Sequence, residues 1–406
     1  MANDLSDLNP QFWAKEAEKS LFVANKAMAI ANTRLRNLVA GEGDTVTRTI
    51  VSYPASSTYT PGTDITTQAV AGSSEDLSIA TWLSSLVTID DTEKVQSIIE
   101  LASNISNKMM KDHNNRIEQA VLAEVSEAKH SLDDGNVGGS SGSNAVVNTN
   151  TVPQFFIAAD TKLDAQDAPN AGRTAVIGGH FLGQLKLQQA ARPTEFGDGV
   201  NSRGVVANLF GWDILVSNNL PYEAVLTIAT NPTTTDTITI AGVTFRFITA
   251  LAQAGDLNIG TSAAESVANM VVAINAPATA VTETSTAGYT PLAAEDIFML
   301  RDKRRVTATA TSATVTTIAG YGDIVVSETL TADADVWSAQ KQTALFCVKG
   351  CVDLIVQIPP KVEVVRDQDQ FSNIVKSLLG YGKKTFADGA REMVSVSLDA
   401  STDDWS

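Results

Sequence analysis

At 406 residues the chain is long enough for two or three domains and a sizeable core. Its 46 acidic residues against 29 basic ones give a formal charge of -17, which argues against nonspecific nucleic-acid binding, because that affinity comes from Lys and Arg on phosphates. Two cysteines, Cys347 and Cys351, cannot build a disulfide framework or complete a four-ligand zinc site alone, so they read as buried or inert thiols.

The N-terminus lacks the basic-then-apolar pattern of a secretory signal, and no apolar run is long enough to span a bilayer; the expectation is a soluble chain made in the cytoplasm. Asn9-Pro10 suits a helix start, and Phe12, Trp13, Ala17, Leu21, Ala24, Met28, Ala31 and Leu35 continue on one face. This predicts an amphipathic helix ending near Gly41, with Phe12 and Trp13 at its head as core or as contacts for a neighbouring subunit. From 44 to 90 the texture turns to Thr, Ser, Val and Tyr, broken at Pro54, Pro61-Gly62 and Gly72. That pattern predicts either a long β hairpin lacking its own core or an irregular surface loop. Arg48 is its sole basic residue.

Residues 91 to 132 carry the strongest helical signal. Val95, Ile98, Ala102, Ile105, Met109, Ile117, Val121 and Val125 recur at steps of three and four, with His113 filling a gap. Lys108, Lys111, Asp112, Asn115, Glu118, Glu124 and Glu127 predict a wet opposite face. A continuous helix of this length would span about 60 Å at 1.5 Å per residue. A mobile Gly/Ser loop follows at 135–143, with no P-loop pattern.

Residues 151 to 222 read as compact α+β: a helix at 152–163, a strand at 173–177, a helix at 181–189, a Gly- and Asn-rich loop at 196–203 and a strand at 212–217. His180, after Gly178-Gly179, sits where an enzyme could use it with Asp160 or Asp164, but no nucleophile motif accompanies it, and a turn role is favoured. Residues 223 to 335 are rich in Thr and Ala and read as a self-contained inserted domain, with two strands around Ala241-Gly242 and a capping box at Ser262 and Glu265 opening a helix. Arg301, Lys303, Arg304 and Arg305 form the dense basic cluster of this acidic chain, either a contact for an acidic partner or subunit or a solvated turn. Beyond Trp337 come strands at 344–358 and 362–365, a helix marked by Phe371, Ile374, Val375 and Leu378, a strand at 394–398, and an acidic tail that reads as loose.

This order of parts, with Tyr381-Gly382-Lys383-Lys384 before the last strand, resembles the major capsid proteins of tailed bacteriophages, the Hong Kong 97 type fold. The stretch Gly211-Trp212-Asp213-Ile214-Leu215-Val216, continuing to Pro221, is similar to the strand preceding the insertion point in that family. The long insertion is similar to that of the short-tailed Salmonella phage coat proteins, and residues 240 to 275 resemble modules recurring in phage structural proteins.

The resemblance implies an α+β fold with an N-terminal arm at 1–43, an extended loop at 44–90 and a peripheral domain at 91–134 and 361–406 that includes a spine helix. An axial domain would take 135–222 and 336–360, with a β-rich inserted domain at 223–335. It implies a structural protein of the virion that self-assembles, in the host cytoplasm, into hexamers and pentamers of an icosahedral shell. Expected partners are copies of itself, a scaffolding protein, a portal and a decoration protein; double-stranded DNA would be enclosed without sequence-specific binding. No membrane, cofactor, metal or catalytic residue is expected. Candidate subunit contacts are Arg301, Lys303, Arg304, Arg305, Arg48, Phe12 and Trp13. One family variant cross-links a Lys of the extended loop to an Asn on a neighbour; with no Lys from 44 through 90, that chemistry is expected to be absent. The competing readings are a tail-tube or adhesin chain, suggested by the Thr-rich 223–335 region, and a hydrolase built on His180.

Overall fold

The computed structural model describes residues 26–35, 44–65, 67–91, 101–190, 208–277, 288–333, 336–368 and 370–401. The expected helix positions 9–25 and 36–41, including Phe12 and Trp13, the first part of the long helix, the 196–203 loop and the end of the acidic tail lie outside them.

In chain order the strands begin with β1 (Ala31–Asn32), β2 (Thr45–Val51), β3 (Gly72–Ser78) and β4 (Thr81–Asp90), followed by helix α1 (Leu101–Ala123) and β5 (His130–Leu132). Next come α2 (Thr151–Asp164), β6 (Arg173–Ile177), α3 (Gly179–Ala190), β7 (Asn208–Leu209), β8 (Trp212–Val216) and β9 (Pro221–Thr227). The inserted stretch holds β10 (Thr237–Ile240), β11 (Val243–Ile248), β12 (Asp256–Asn258), α4 (Ala263–Asn275), α5 (Ala294–Ile297), β13 (Thr307–Ala310), β14 (Val315–Tyr321) and β15 (Val326–Glu328). The chain closes with β16 (Trp337–Val348), β17 (Val352–Arg366), β18 (Ser372–Lys384), α6 (Ala387–Arg391) and β19 (Met393–Asp399).

Two compact units result. Of the described residues, the first comprises those within 31–113 and 352–387, and the second those within 26–30, 114–351 and 388–401. The α+β expectation therefore stands at the level of mixed helix and sheet.

In the first unit, four strands pair in the order β1-β17-β18-β4. β18 replaces the helix expected from Phe371, Ile374, Val375 and Leu378. Val375, Ser377, Leu379 and Tyr381 are all buried, a period of two, while Phe371 is 82% exposed. Pairing along both edges, with β17 and with β4, satisfies its backbone groups, and β-branched Ile374-Val375 suits a pleated surface. Pro359-Pro360 falls where the β17 to β18 register shifts, between Ile358 and Lys361, the kind of irregularity a strand proline requires. Against this sheet lie Met109 and Met110 of α1, packed with Ile89, Val362 and Val375, so the apolar stripe meets the strands after Lys361 as its period predicts. His113, which fills the gap in the stripe, is buried, and its Nε2 lies 2.9 Å from Ser377 Oγ.

The helix ends earlier than its pattern. Its described part, α1, has 23 residues, about 34 Å at 1.5 Å per residue, and tightens into a 3-10 turn at Glu124–Glu127. Lys129 and His130 do not close it: Lys129 N–H donates to Ala390 O at 2.8 Å, and β5 runs parallel to β19 with His130 beside Val394. A sheet edge that needed a partner outweighed weak helix propensity there. The expected helix through Leu35 also gives way, at 26–35, to a 3-10 turn at Lys26–Ala29 and to β1, which pairs with β17.

The second unit is built on a nine-stranded sheet ordered β13-β14-β9-β16-β6-β8-β7, with β19 on β16 and β5 on β19. The inserted stretch holds a four-stranded sheet of its own, ordered β12-β11-β10-β15, and an apolar core around Phe245, Phe247, Met270 and Leu300, while β9, β14 and β13 extend the nine-stranded sheet. The β10–β11 hairpin turns on Ala241 (φ 55°) and Gly242 (φ 82°), two positive values that match the strand twist. Ser262 caps α4 by accepting from Glu265 N–H. The Glu265 carboxylate reaches Thr261 rather than Ser262, accepting from its N–H at 2.6 Å. Two buried carboxylates pin turns. Asp256 accepts from Gln253 N–H (2.7 Å), Ala252 N–H (2.8 Å) and Arg246 Nε (2.9 Å), and Asp236 accepts from Thr233 N–H (2.7 Å) and Thr331 Oγ1 (2.7 Å).

The other core of this unit is aromatic. Phe346 of β16 meets Phe156 at 5.2 Å and Trp212 at 5.3 Å between centroids, both edge-on, with Phe181 at 6.4 Å. Replacing Phe346 by Ala removes a fully buried ring that has no room to collapse around. The expected loss is about 3–5 kcal/mol in urea unfolding. A loss below about 1 kcal/mol would place the ring outside the core.

Candidate assembly surfaces

The hairpin expected within 44–90 exists, but it closes at Ser78. β2 pairs with β3 from Thr45 opposite Ser78 to Val51 opposite Gly72, and 81–90 belongs to the first unit's sheet as β4. Past Val51 the two chains continue side by side, with Ser52 N–H donating to Ala71 O at 2.8 Å and Gln68 Nε2 to Ala55 O at 2.7 Å. The end turns at Thr60-Pro61-Gly62-Thr63, where Pro presets the second residue, Gly62 takes φ 92°, and Thr63 N–H donates to Thr60 O at 3.2 Å. The connection is therefore ordered by its own hydrogen bonds, yet its apolar side chains have nowhere to go. Tyr53 is 98% exposed and Ile65 77%, with Tyr59 and Val70 also in solvent.

The root of the hairpin is anchored. Leu77 and Ile79 pack with Ile355 and Phe386, and Val46 lies against them. Arg48, expected as a subunit contact, lies over the Phe386 ring of its own chain at 5.4 Å, with Lys384 at 5.8 Å from the same ring. The outer face of the same unit's sheet mixes apolar and ionic groups. Leu86 is 65% exposed, and Trp82, Val365 and Leu378 are exposed beside it, while Lys376 and Lys361 both pair with Glu363. Hydrogen bonds from Lys361 and Lys376 hold the Glu363 carboxyl below its usual pKa. Gly380 lets the Trp82 ring lie across β18; a Cβ there would fall 2.4 Å from the indole.

In the second unit the basic cluster divides. Phe298–Lys303 forms a wide π-helical turn. Arg304 is half-buried, its Nη1 reaching Asn218 O and Tyr321 O at 3.4 Å each, and burial pushes its guanidinium pKa down. It is a packing residue. Lys303 offers its carbonyl to Gln119 Nε2 at 3.0 Å, and Arg301 pairs with neighbouring Asp302 at 2.9 Å. Arg305 takes φ 48°, unusual for a residue with a Cβ. Arg301 and Arg305 face a cleft; Lys303 and Arg304 do not line it.

A second group was not singled out from sequence. Glu118 was expected on a wet face but is buried, accepting from Ser217 Oγ at 2.7 Å and Asn219 Nδ2 at 3.2 Å, while Gln119 Nε2 also reaches Asn219 Oδ1 at 3.3 Å. The Ser217-Asn218-Asn219 run before Pro221 was the available signal, since such residues make side-chain contacts at strand ends. His180 opens α3, and the two acids that could serve it are taken. Asp160 and Asp164 (2.5 Å) both pair with Arg173, whose side chain is buried and whose cation lies over Trp212 at 6.0 Å. Among the described residues, no three His, Cys, Asp or Glu side chains are grouped to hold a metal, and no helix is long and apolar enough to cross a membrane. Both cysteines are buried and free.

Ser217→Ala strips the Glu118 carboxylate of its shortest donor inside the protein. We expect a loss of about 1.5–3 kcal/mol in urea unfolding at pH 7, the usual range for a hydrogen bond to a charged group. A change under about 0.5 kcal/mol would mean that water replaces the hydroxyl.

No protein-family model and no curated protein sequence matches the chain. Solved structures do. A chain of Mycobacterium phage Che8 is similar with a TM-score of 0.52 and 15% identity, covering 91% of this chain and 90% of that one. The capsid structure of cyanophage P-SCSP1u is similar with a TM-score of 0.49 and 14% identity over 91% and 86% of the two chains. The mature capsid of bacteriophage PhiM1 is similar with a TM-score of 0.45 and 13% identity over 90% and 87%. The second and third of these are phage capsid structures. At these identities the likeness is one of fold, and the fold is shared, almost end to end, with the Che8 phage chain.

Proposed function

We propose that the chain is the major capsid protein of a tailed bacteriophage, of the Hong Kong 97 type, with 223–335 as its inserted domain. The observation that carries the reading is the likeness of fold to the Che8 phage chain, which spans 91% of this chain rather than one module of it. The surfaces support it. A hairpin that carries Tyr53, Tyr59, Ile65 and Val70 into solvent gains stability when a second copy covers those side chains, at roughly 25 cal/mol per Å² of apolar surface. In this reading 1–43 is the N-terminal arm, the hairpin is the extended loop, α1 is the spine, and copies assemble as hexamers and pentamers of an icosahedral shell. Scaffolding protein and portal guide assembly, a decoration protein coats the shell, and double-stranded DNA is held without sequence-specific contacts. An acidic chain suits such a container, because walls of the same sign as phosphate do not adsorb DNA. Chemistry in the catalytic sense has no role.

Electron microscopy of the purified protein tests this directly. Closed shells are expected; tubes, fibres or a persistent monomer would point to a different structural role. Tyr53→Ser with Tyr59→Ser should leave unfolding within about 0.5 kcal/mol of wild type, since both side chains are exposed, and sharply lower the yield of shells. Unchanged yield would remove the hairpin from the contact. Boiled particles on a denaturing gel should run as monomer, because the hairpin segment has no Lys to cross-link. A covalent ladder would contradict that expectation.

A further inference from the structure

The second unit holds a cleft of about 490 Å³ with a composition opposite to the rest of the chain. Four cationic side chains line it, Arg116 of α1, Arg301 and Arg305 of the turn after α5, and Lys341 of β16; the only lining carboxylate among the described residues is Glu223. Acids outnumber bases 46 to 29 over the whole sequence, so a four-to-one excess of cations in one concavity runs against the background. The volume is that of a small-molecule site.

Three further observations support a ligand. The cations arrive from three elements far apart in sequence, so the cluster is a product of the fold and not of a basic run. Arg305 is held in the left-handed region at φ 48°, a conformation that costs energy for a residue with a Cβ, and such outliers concentrate at functional positions. Tyr321 and Thr307, residues that carry hydroxyls, also line the cleft. Arg305 lies close enough to Tyr321 for its charge to oppose the burial that raises the phenol. Lys341 contacts Glu223 at 2.8 Å, and Arg301 contacts Asp302, so some of the positive charge is compensated within the chain. Gathering cations in one concavity raises its potential and concentrates anions there.

We propose that this cleft is a binding site for a small polyanion bearing phosphate or carboxylate groups, with Arg305 and Lys341 as its principal cationic contacts and Glu223 as the group its ligand displaces from Lys341. The guanidinium forks suit oxyanion oxygens, and a polyanion can meet more than one of the cations that converge.

The test is calorimetric titration of the purified full-length chain, with tripolyphosphate as the phosphate probe and citrate as the carboxylate probe. Saturable binding near one per chain is expected for at least one of them, weakening when NaCl is raised to about 0.5 M, where exposed charges are strongly screened. Tripolyphosphate alone would assign the site to phosphates, and citrate alone to carboxylates. Binding of neither would overturn the proposal. Arg305→Asn removes the charge while keeping a residue that tolerates positive φ, and should weaken binding at least about tenfold with the melting temperature preserved. Unchanged affinity would also overturn it. Glu223→Gln provides a gain that misfolding cannot imitate. Without the competing carboxylate, the probe should bind several-fold more tightly, whereas equal or weaker binding would count against displacement at Lys341. None of these readouts depends on shell formation, so failure here and failure of the capsid reading are distinguishable.

Discussion

The pairing of β16 on both edges is the constraint on which the second unit depends. One edge pairs with β19 from Lys341 to Cys347; the other pairs with β9 from Trp337 to Gln342 and then with β6 from Leu345 to Val348. One strand thus changes partner along its length, and its two halves serve different cores. The later half sends Phe346 into the aromatic cluster with Phe156, Phe181 and Trp212, and the earlier half lies beside the strands that carry the inserted stretch. The register also fixes what faces outward. Lys341 stands opposite Glu223 on one side and Asp399 on the other, which delivers its ammonium to the cleft. Cys347, on the buried part of the same strand, sits against Cys351, and this contact together with burial pushes its thiol pKa well up. A thiol held protonated in a dry site is a packing group, not a nucleophile.

Polar side chains inside this fold follow one rule: burial is tolerated where donors converge. Desolvation alone would raise the pKa of Asp256 and of Asp236, yet both are lowered: for Asp236 the Thr331 hydroxyl and backbone N–H groups, and for Asp256 backbone N–H groups and Arg246, point at the charged form. Asp353 shows the opposite balance. Its single hydrogen bond from Asn32 Nδ2, at 2.7 Å, does not offset burial, and its carboxyl is raised. Arg173 and its two acids, and Glu118 with Ser217 and Asn219, extend the rule to groups that sequence reading had left for solvent or for catalysis. A helical wheel assigns polar residues to water because it sees one helix. In the fold the charged face of α1 met loops whose own polar ends needed partners.

That difference marks how far the sequence could be read. Local signals were sufficient where the decision was local: the strand at 173–177 with its Ala175-Val176-Ile177 end, the Ala241-Gly242 turn, and Ser262 three residues before Glu265 each specify their structure within a few residues. They failed where a distant strand decided. Phe371, Ile374, Val375 and Leu378 fit a helix face as well as they fit a strand, and only the presence of β4 and β17 on either side favours the strand. The end of α1 was misjudged for the same reason, since the partner of His130 is Val394. The basic cluster was visible as composition, but its division was not. Arg304 turns inward to Asn218 and Tyr321, while Arg116 and Lys341, remote in sequence, join Arg301 and Arg305 around the cleft. Convergence of side chains from separate elements is a tertiary fact that spacing along a chain does not encode.

Under the proposed shell role, a chain of net charge -17 would have to bring like charges together, and the distribution of its side chains bears on how it could do so. From 52 to 71 the hairpin connection has one charged residue, Asp64, and presents Tyr53, Tyr59, Ile65 and Val70 instead. The part that reaches furthest along its own strands is therefore nearly neutral. Contact made there desolvates aromatic and aliphatic surface without pressing carboxylates against carboxylates, and Tyr rings contribute area at little cost in side-chain freedom. The acidic surface can then remain at a distance where salt screens it, beyond about 8–10 Å at physiological ionic strength. Attraction concentrated in a nearly neutral hairpin end, with repulsion dispersed over the rest, is an arrangement that would let copies meet at the hairpin and resist sticking elsewhere.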